Sequence, residues 1–479
     1  MPVTFNYIRN RIAEHSIDDL LELSFSVLDN HRGKVFPVWH VFLLMKWAMI
    51  YGGKSAHRRK LTPDRYNTIF NAIANFNEAH ISNFIKDGSV DKAFQILYNQ
   101  QFYLQKRVYK EIFYTQYALF YSSKTDYDIV QSFEEKCGIS VFDFLYIVWL
   151  FWLYINLAEL GREDLKFNGT FDAEFLKILS EIVEEEKIVK FLKLLTLHPF
   201  NARHGINNYR HKLRAEELQT MEMSFFTMFP FQLFRGNVRL VHETVFDHCV
   251  NYYIYDFLKS NDEKFTTEFG YRLEKFFELG LKELEVPYLT EKEVKQKLPP
   301  KSKLVDFVLY EDNIYVECKA TELQAYPFVN PTDELLFSSL KTSIFKAYFE
   351  QIVSVSRVLS PAEENWGIII TYKEFYWSQF SRLYEIGAKN YDCGDNSHIP
   401  PENVFIIDIY TWNFLVQIVK DGRSTLVEIL KMARENNKNA VSKKLLFQMH
   451  LDDLIKDLKF DLTYFKDIIS LFEIRKLRQ

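Results

Sequence analysis

The chain has 479 residues, 48% hydrophobic, 26% charged and 16% aromatic, the make-up of a globular protein too long for one core, so two or three domains are expected. A net charge of −5 and a pI near 6.2 exclude a protein that binds through a global basic field and leave room only for a local basic groove. Cys137, Cys249, Cys318 and Cys393 are isolated, with no C-x-x-C pair, which argues for a reducing setting and against a cysteine zinc site.

From the start to about residue 255 the pattern is helical. Apolar residues recur at three- and four-residue spacing in Ile17, Leu20, Leu21, Phe25 and Leu28, and again in Phe171, Phe175, Ile178, Leu179 and Ile182. Asn30 to Gly33, Gly52-Gly53, Gly161 and Pro199 to Gly205 punctuate it. Residues 1–255 are therefore predicted to form an α-helical domain that senses, or binds a substrate or partner. The opening stretch MPVTFNYIRNRIAEHSIDDL lacks the apolar core of a signal peptide. The apolar run Phe144 to Ile155 falls short of a ~20-residue span. A cytoplasmic protein without a membrane partner is expected.

Two basic clusters stand out in this half: His57, Arg58, Arg59 and Lys60, and then Arg203, Arg210, Lys212 and Arg214. Each is either a solvated connection or a contact to a nucleic-acid backbone. Gly52-Gly53-Lys54-Ser55 lacks the first glycine of a phosphate loop, because position 48 is Ala. His242, Glu243, Asp247 and His248 do not have the H-E-x-x-H spacing of a zinc helix.

Near residue 265 the character changes. A helix, GYRLEKFFELGLKEL, precedes a turn at Pro299-Pro300 and two β-like runs, LVDFVLY and IYVECKA. A helix from about Glu334 to Leu359 follows, then the strand GIIITY, a helix from near Phe375, the strand VFIIDIY and the helix TWNFLVQIVK. Strands alternating with helices call for a mixed central sheet flanked by helices. This segment is taken as 256–425, and 426–479 as a helical extension with a basic end. The fold class is α+β and multidomain.

The chemistry lies in the hairpin. Glu317 and Lys319 are two apart on one strand and share a face. With Asp312-Asn313 as a two-residue turn, Asp306 stands opposite Lys319, with Glu317 one diagonal step away. A four-residue loop would preserve this register, and an odd loop would break it. Two carboxylates can hold Mg²⁺, and an ammonium beside them can orient water or stabilise charge on the transition state. Spacing alone equally allows a strand pair with charged outer residues.

The motif Asp306-x10-Glu317-Cys318-Lys319 between two helices resembles the PD-(D/E)XK nuclease superfamily, the restriction-endonuclease-like fold. Its core runs helix, three strands, helix, strand, and the likeness covers about a third of the chain. Gly270-x-x-Leu273-Glu274 resembles the G-x-x-F/L-E of many members, and Gln351 is similar to the glutamine of Mrr-like and RecB-like branches. Val305 and Val355 stand where proline and tyrosine are common. The resemblance implies Asp306 and Glu317 as metal ligands, Lys319 as the residue that positions water or charge, and Glu274 and Gln351 as assistants. It implies Mg²⁺, or Mn²⁺, as cofactor and endonucleolytic hydrolysis of phosphodiester bonds, DNA favoured. A ribonuclease or tRNA-targeting enzyme, and a non-catalytic nucleic-acid sensor or scaffold, share this fold. A nuclease joined to a helical domain resembles anti-phage defence effectors, in which a protein trigger or homo-oligomerisation is expected.

Overall fold

Capping residues start the first helices: Thr4 accepts the Tyr7 amide ahead of α1 (Phe5–Ala13), and Ser16 accepts the Asp19 amide ahead of α2 (Ile17–Asn30). With α3 (Val38–Tyr51) and α4 (Pro63–Lys86) they bury Phe5, Ile8, Ile12, Leu20, Leu44, Trp47, Ile69 and Ile73 in one cluster. The computed structural model describes residues 3–31, 37–54, 58–86, 97, 100, 109–121, 127–157, 167–202, 216–360, 364–375, 377, 380–391, 398–439 and 442–472. The described residues up to Tyr109 and from Ile129 to Asp262 form one unit. Those from Lys110 to Asp128 and from Glu263 onward form another.

After α4 the chain leaves the first unit for α5 (Glu111–Tyr121), a member of the second, and returns with α6 (Ile129–Cys137) and α7 (Val141–Ile155). Two short strands, β1 (Thr170–Phe171) and β2 (Thr196–Leu197), enclose α8 (Ala173–Ile182) and α9 (Glu185–Leu195). The hairpin β3 (Phe231–Phe234) and β4 (Asn237–Leu240) then leads into α10 (Glu243–Asn261). Phe151 of α7 is central, with ring contacts to Phe171, Phe175, Phe191 and Phe231. The four strands form a sheet in the order β1-β4-β3-β2. This corrects the expectation of a purely helical N-terminal domain, because strands of two to four residues are too short to imprint a period of two on the sequence. Among the described residues no single helix is long and apolar enough to cross a membrane; α6 and α7 reach that length only as a pair bent by 70°.

The second unit begins with α11 (Phe265–Leu284), β5 (Leu289–Thr290) and α12 (Glu291–Lys297). The hairpin β6 (Phe307–Leu309) and β7 (Ile314–Lys319) follows, then α13 (Ala325–Val329) and α14 (Asp333–Leu340). Lys341–Ile352 is a π-helix, wider than its neighbours, that runs into α15 (Val353–Leu359). β8 (Trp366–Thr371), α16 (Ser381–Gly387), β9 (Val404–Asp408) and α17 (Ile409–Lys420) complete the sheet region. The order is β5-β6-β7-β8-β9: antiparallel from β5 to β7, parallel from β7 to β9. It is the mixed central sheet expected. Asp408 ends β9 and caps α17 by accepting the Tyr410 and Thr411 amides. Phe277 of α11 packs its ring, tilted by 44°, against Phe307 on one face of the sheet, while Gln351 reaches Glu317 on the other.

The boundaries at 255 and 425 differ from those observed. The second unit starts at Glu263 and takes in α18 (Leu426–Lys438) and α19 (Lys466–Leu471), which the sequence reading set apart. It also recruits α5, whose Ile112, Phe113, Thr115, Gln116, Leu119 and Phe120 are buried. A helix apolar on most sides carries no mark of which core it joins.

Candidate active site

The hairpin register decides who faces whom. Phe307 pairs with Val316 and Leu309 with Ile314, so the loop runs from Tyr310 to Asn313 and Asp306 comes level with Glu317. This corrects the two-residue turn and the Asp306–Lys319 pairing, and the observed four-residue loop shifts that register by two instead of preserving it. A two-residue turn of the common hairpin type needs positive φ at both centres, and of Asp312 and Asn313 only Asn313, at φ 52°, adopts it.

Around Glu317 the five residues singled out in the sequence converge. Its side chain is buried, and its Oε2 accepts the Asp306 amide at 3.2 Å. Oε1 accepts both Lys319 Nζ and Gln351 Nε2, each at 2.5 Å. Gln351 also donates to the Leu304 carbonyl at 3.0 Å, tying the π-helix to the segment that leads through Asp306 into β6. Asp306 Oδ2 accepts the Cys318 amide at 2.7 Å. Glu274 joins from α11 through charge.

Burial dominates the electrostatics. It pushes the Glu317 carboxyl up to about 8, with the Asp306 charge adding to it and Lys319 and Gln351 opposing. Burial and then Asp306 push Glu274 up to about 8 as well. Asp306 rises to about 6 by burial, held back by the Cys318 amide and Lys319. Burial works against the Lys319 ammonium, yet the Glu317 and Asp306 carboxylates outweigh it and raise its pKa. Three acids thus share one lysine in a partly dehydrated pocket. When all are ionised the group carries two uncompensated negative charges.

A fourth acid went unnoticed in the sequence. Thr290 of β5 pairs with Phe307, which brings Glu291, the first residue of α12, level with Asp306 on the neighbouring strand. Its charge adds to the raising of both Asp306 and Glu274. The signal that could have found it is Thr290-x-x-Glu293, a capping box that marks a helix start.

Among the described residues no three His, Cys, Asp or Glu side chains are arranged as a metal cage. The donor set of the pocket is carboxylate oxygen alone. That suits a hard ion such as Mg²⁺, which usually keeps several waters and needs only one or two carboxylates. A divalent cation would favour the ionised form of these carboxyls.

The basic clusters divide. Arg58 donates to the Ala13 carbonyl at 3.2 Å and Arg59 to Glu14 Oε2 at 3.4 Å, so both help to fasten the end of α1. His57, Arg203, Arg210, Lys212 and Arg214 lie outside the described residues. In the second unit Lys303 is paired with Glu350 at 2.8 Å. His242 caps α10 by accepting the Thr244 amide, a structural use of that histidine. Comparison with known protein families, with curated proteins and with solved structures finds no match.

Proposed function

We propose that the chain is a divalent-metal-dependent nuclease of the PD-(D/E)XK kind, its second unit built on a restriction-endonuclease-like core, hydrolysing phosphodiester bonds with DNA as the favoured substrate. The order helix, antiparallel hairpin, helix, parallel strand supports this reading. The observation that carries it is the crowding of acids: Glu274, Asp306 and Glu317, with Glu291 beside them, gathered around Lys319, the three carboxyls each raised by burial. A fold that served only stability would gain by neutralising such a group.

Asp306 and Glu317 would hold Mg²⁺ or Mn²⁺, which when bound polarises a phosphoryl oxygen and lowers the pKa of a water. Gln351 fixes Glu317 through its amide and ties it to Leu304. Lys319 places its ammonium where charge develops on the phosphoryl oxygens. Glu274 adds negative charge that favours cation uptake. A nuclease unit joined to a unit with no catalytic motif supports a role as a cytoplasmic anti-phage effector, with the first unit receiving a trigger.

The direct test incubates the purified full chain with Mg²⁺ and plasmid, linear duplex, single-stranded DNA and RNA. DNA cleavage with Mg²⁺ or Mn²⁺, and binding with little turnover in Ca²⁺, is expected. Cleavage undiminished by excess chelator, or no cleavage of any of the four substrates, refutes the proposal.

A further inference from the structure

Two features of α11 meet one turn before Glu274, and packing among the described residues accounts for neither. Gly270 lies in the helix interior, where glycine is less stable than alanine. The other glycine of this helix has a reason: a Cβ on Gly280 would run into Trp412 and Val416. Among the described residues a Cβ on Gly270 would meet nothing within 4 Å, and Gly270 is not among the residues of positive φ. Next to it, Tyr271 is 55% exposed, the most exposed large apolar side chain among the described residues. Its ring has no ring contact and its hydroxyl no hydrogen bond among those residues.

Residues three and four apart on a helix are neighbours on its surface, so Thr267, Gly270, Tyr271 and Glu274 form one stripe. Tyr271 stands about 4.5 Å along the axis from Glu274, whose charge is felt by the catalytic pocket. The part of the stripe ahead of Glu274 is uncharged, so it does not repel a polyanion.

We infer that Tyr271 is a stacking platform for an unpaired base of the substrate strand beside the scissile phosphate, and that Gly270 leaves the base and sugar room to approach the helix. This rests on the nuclease reading and deepens it. A ring face can be covered only by a base that has left its duplex stack, so the substrate is a strand with a single-stranded or opened segment.

Binding of a fluorescent single-stranded oligonucleotide and of the matching duplex, each with the full chain in Ca²⁺, tests this. Tyr271→Ala should weaken single-strand binding roughly tenfold and duplex binding by less than about twofold, whereas Tyr271→Phe should stay close to wild type. The log–log salt slope should not change, because no phosphate contact is lost. Gly270→Leu should weaken single-strand binding without lowering the melting temperature. In Tyr271→Trp, single-stranded DNA should quench the added fluorescence. A Tyr271→Ala chain that binds the single strand as wild type does, or loses both probes equally, overturns the inference while leaving the nuclease reading standing. A wild-type chain that binds neither probe overturns both.

Discussion

Each unit buries a lysine against a glutamate, and the two pairs behave differently. In the first unit Lys46 of α3 meets Glu222, both side chains 6% exposed. In the second, Lys319 meets Glu317, which is 1% exposed, but Asp306 and Glu274 crowd the same lysine. In the second, three carboxyls face one ammonium, and burial raises each of the three. A buried ion pair by itself is thus no sign of function. The surplus around it is.

The comparison breaks first at the level of rate. Asp306→Ala, Glu317→Ala or Lys319→Ala should each lower cleavage by about 10²–10³-fold with the fold retained, the usual cost of removing one group that stabilises the transition state. Full cleavage by Glu317→Ala would end the assignment. Lys46→Met should do the opposite: it leaves a buried carboxylate, so stability should drop by about 3–5 kcal/mol, read by denaturant melts. Lys46→Met combined with Glu222→Leu should recover most of that loss, whereas a matched pair of changes at Lys319 and Glu317 should recover no activity.

The pH dependence sharpens the contrast. The carboxyls of Glu317 and Glu274 sit near 8 in the folded chain and Asp306 near 6, all above their ordinary values. The folded state therefore holds protons that the unfolded chain has released. The contribution of these three groups to stability should be greatest below about pH 4 and fall as pH rises toward 8. Saturating Mg²⁺ should flatten this fall, with a gain of about 2.7 kcal/mol at a hundred times its dissociation constant. Melting temperatures of wild type and Glu317→Gln across pH 4–9, with and without Mg²⁺, isolate it; a wild type that gains on the variant as pH rises contradicts the electrostatics. The smallest effect lies within α11. Gly270→Ala should stabilise the chain by about 1 kcal/mol, while Gly280→Ala should destabilise it through the clash with Trp412 and Val416.

What the sequence made legible was local. Helix α11, the hairpin strands and the parallel strands β8 and β9 follow from periodicity, and Asp306, Glu317, Lys319, Glu274 and Gln351 all reach one pocket. The hairpin register was missed because the backbone of Asn313, not the residue types alone, sets the loop at four residues. Glu291 was missed because β5 is two residues long and leaves no alternation to read. The π-helix left no trace either, since widening a helix alters hydrogen bonds before it alters which residues are apolar.

The membership of α5 in the second unit has a consequence in time. The Arg272 side chain, 3% exposed, donates to the carbonyls of Leu119 and Phe120, and Asn413 donates to Thr115 at 2.8 Å. These contacts span 153 and 298 residues of chain. At a synthesis rate of roughly 5–20 residues per second, α5 must wait on the order of ten seconds or more after emerging before its first partner exists. During that wait its apolar faces have only the first unit, or a chaperone, to shield them. A fragment beginning at residue 263 would never have α5 at all, and would leave the Arg272 guanidinium buried without its carbonyl acceptors.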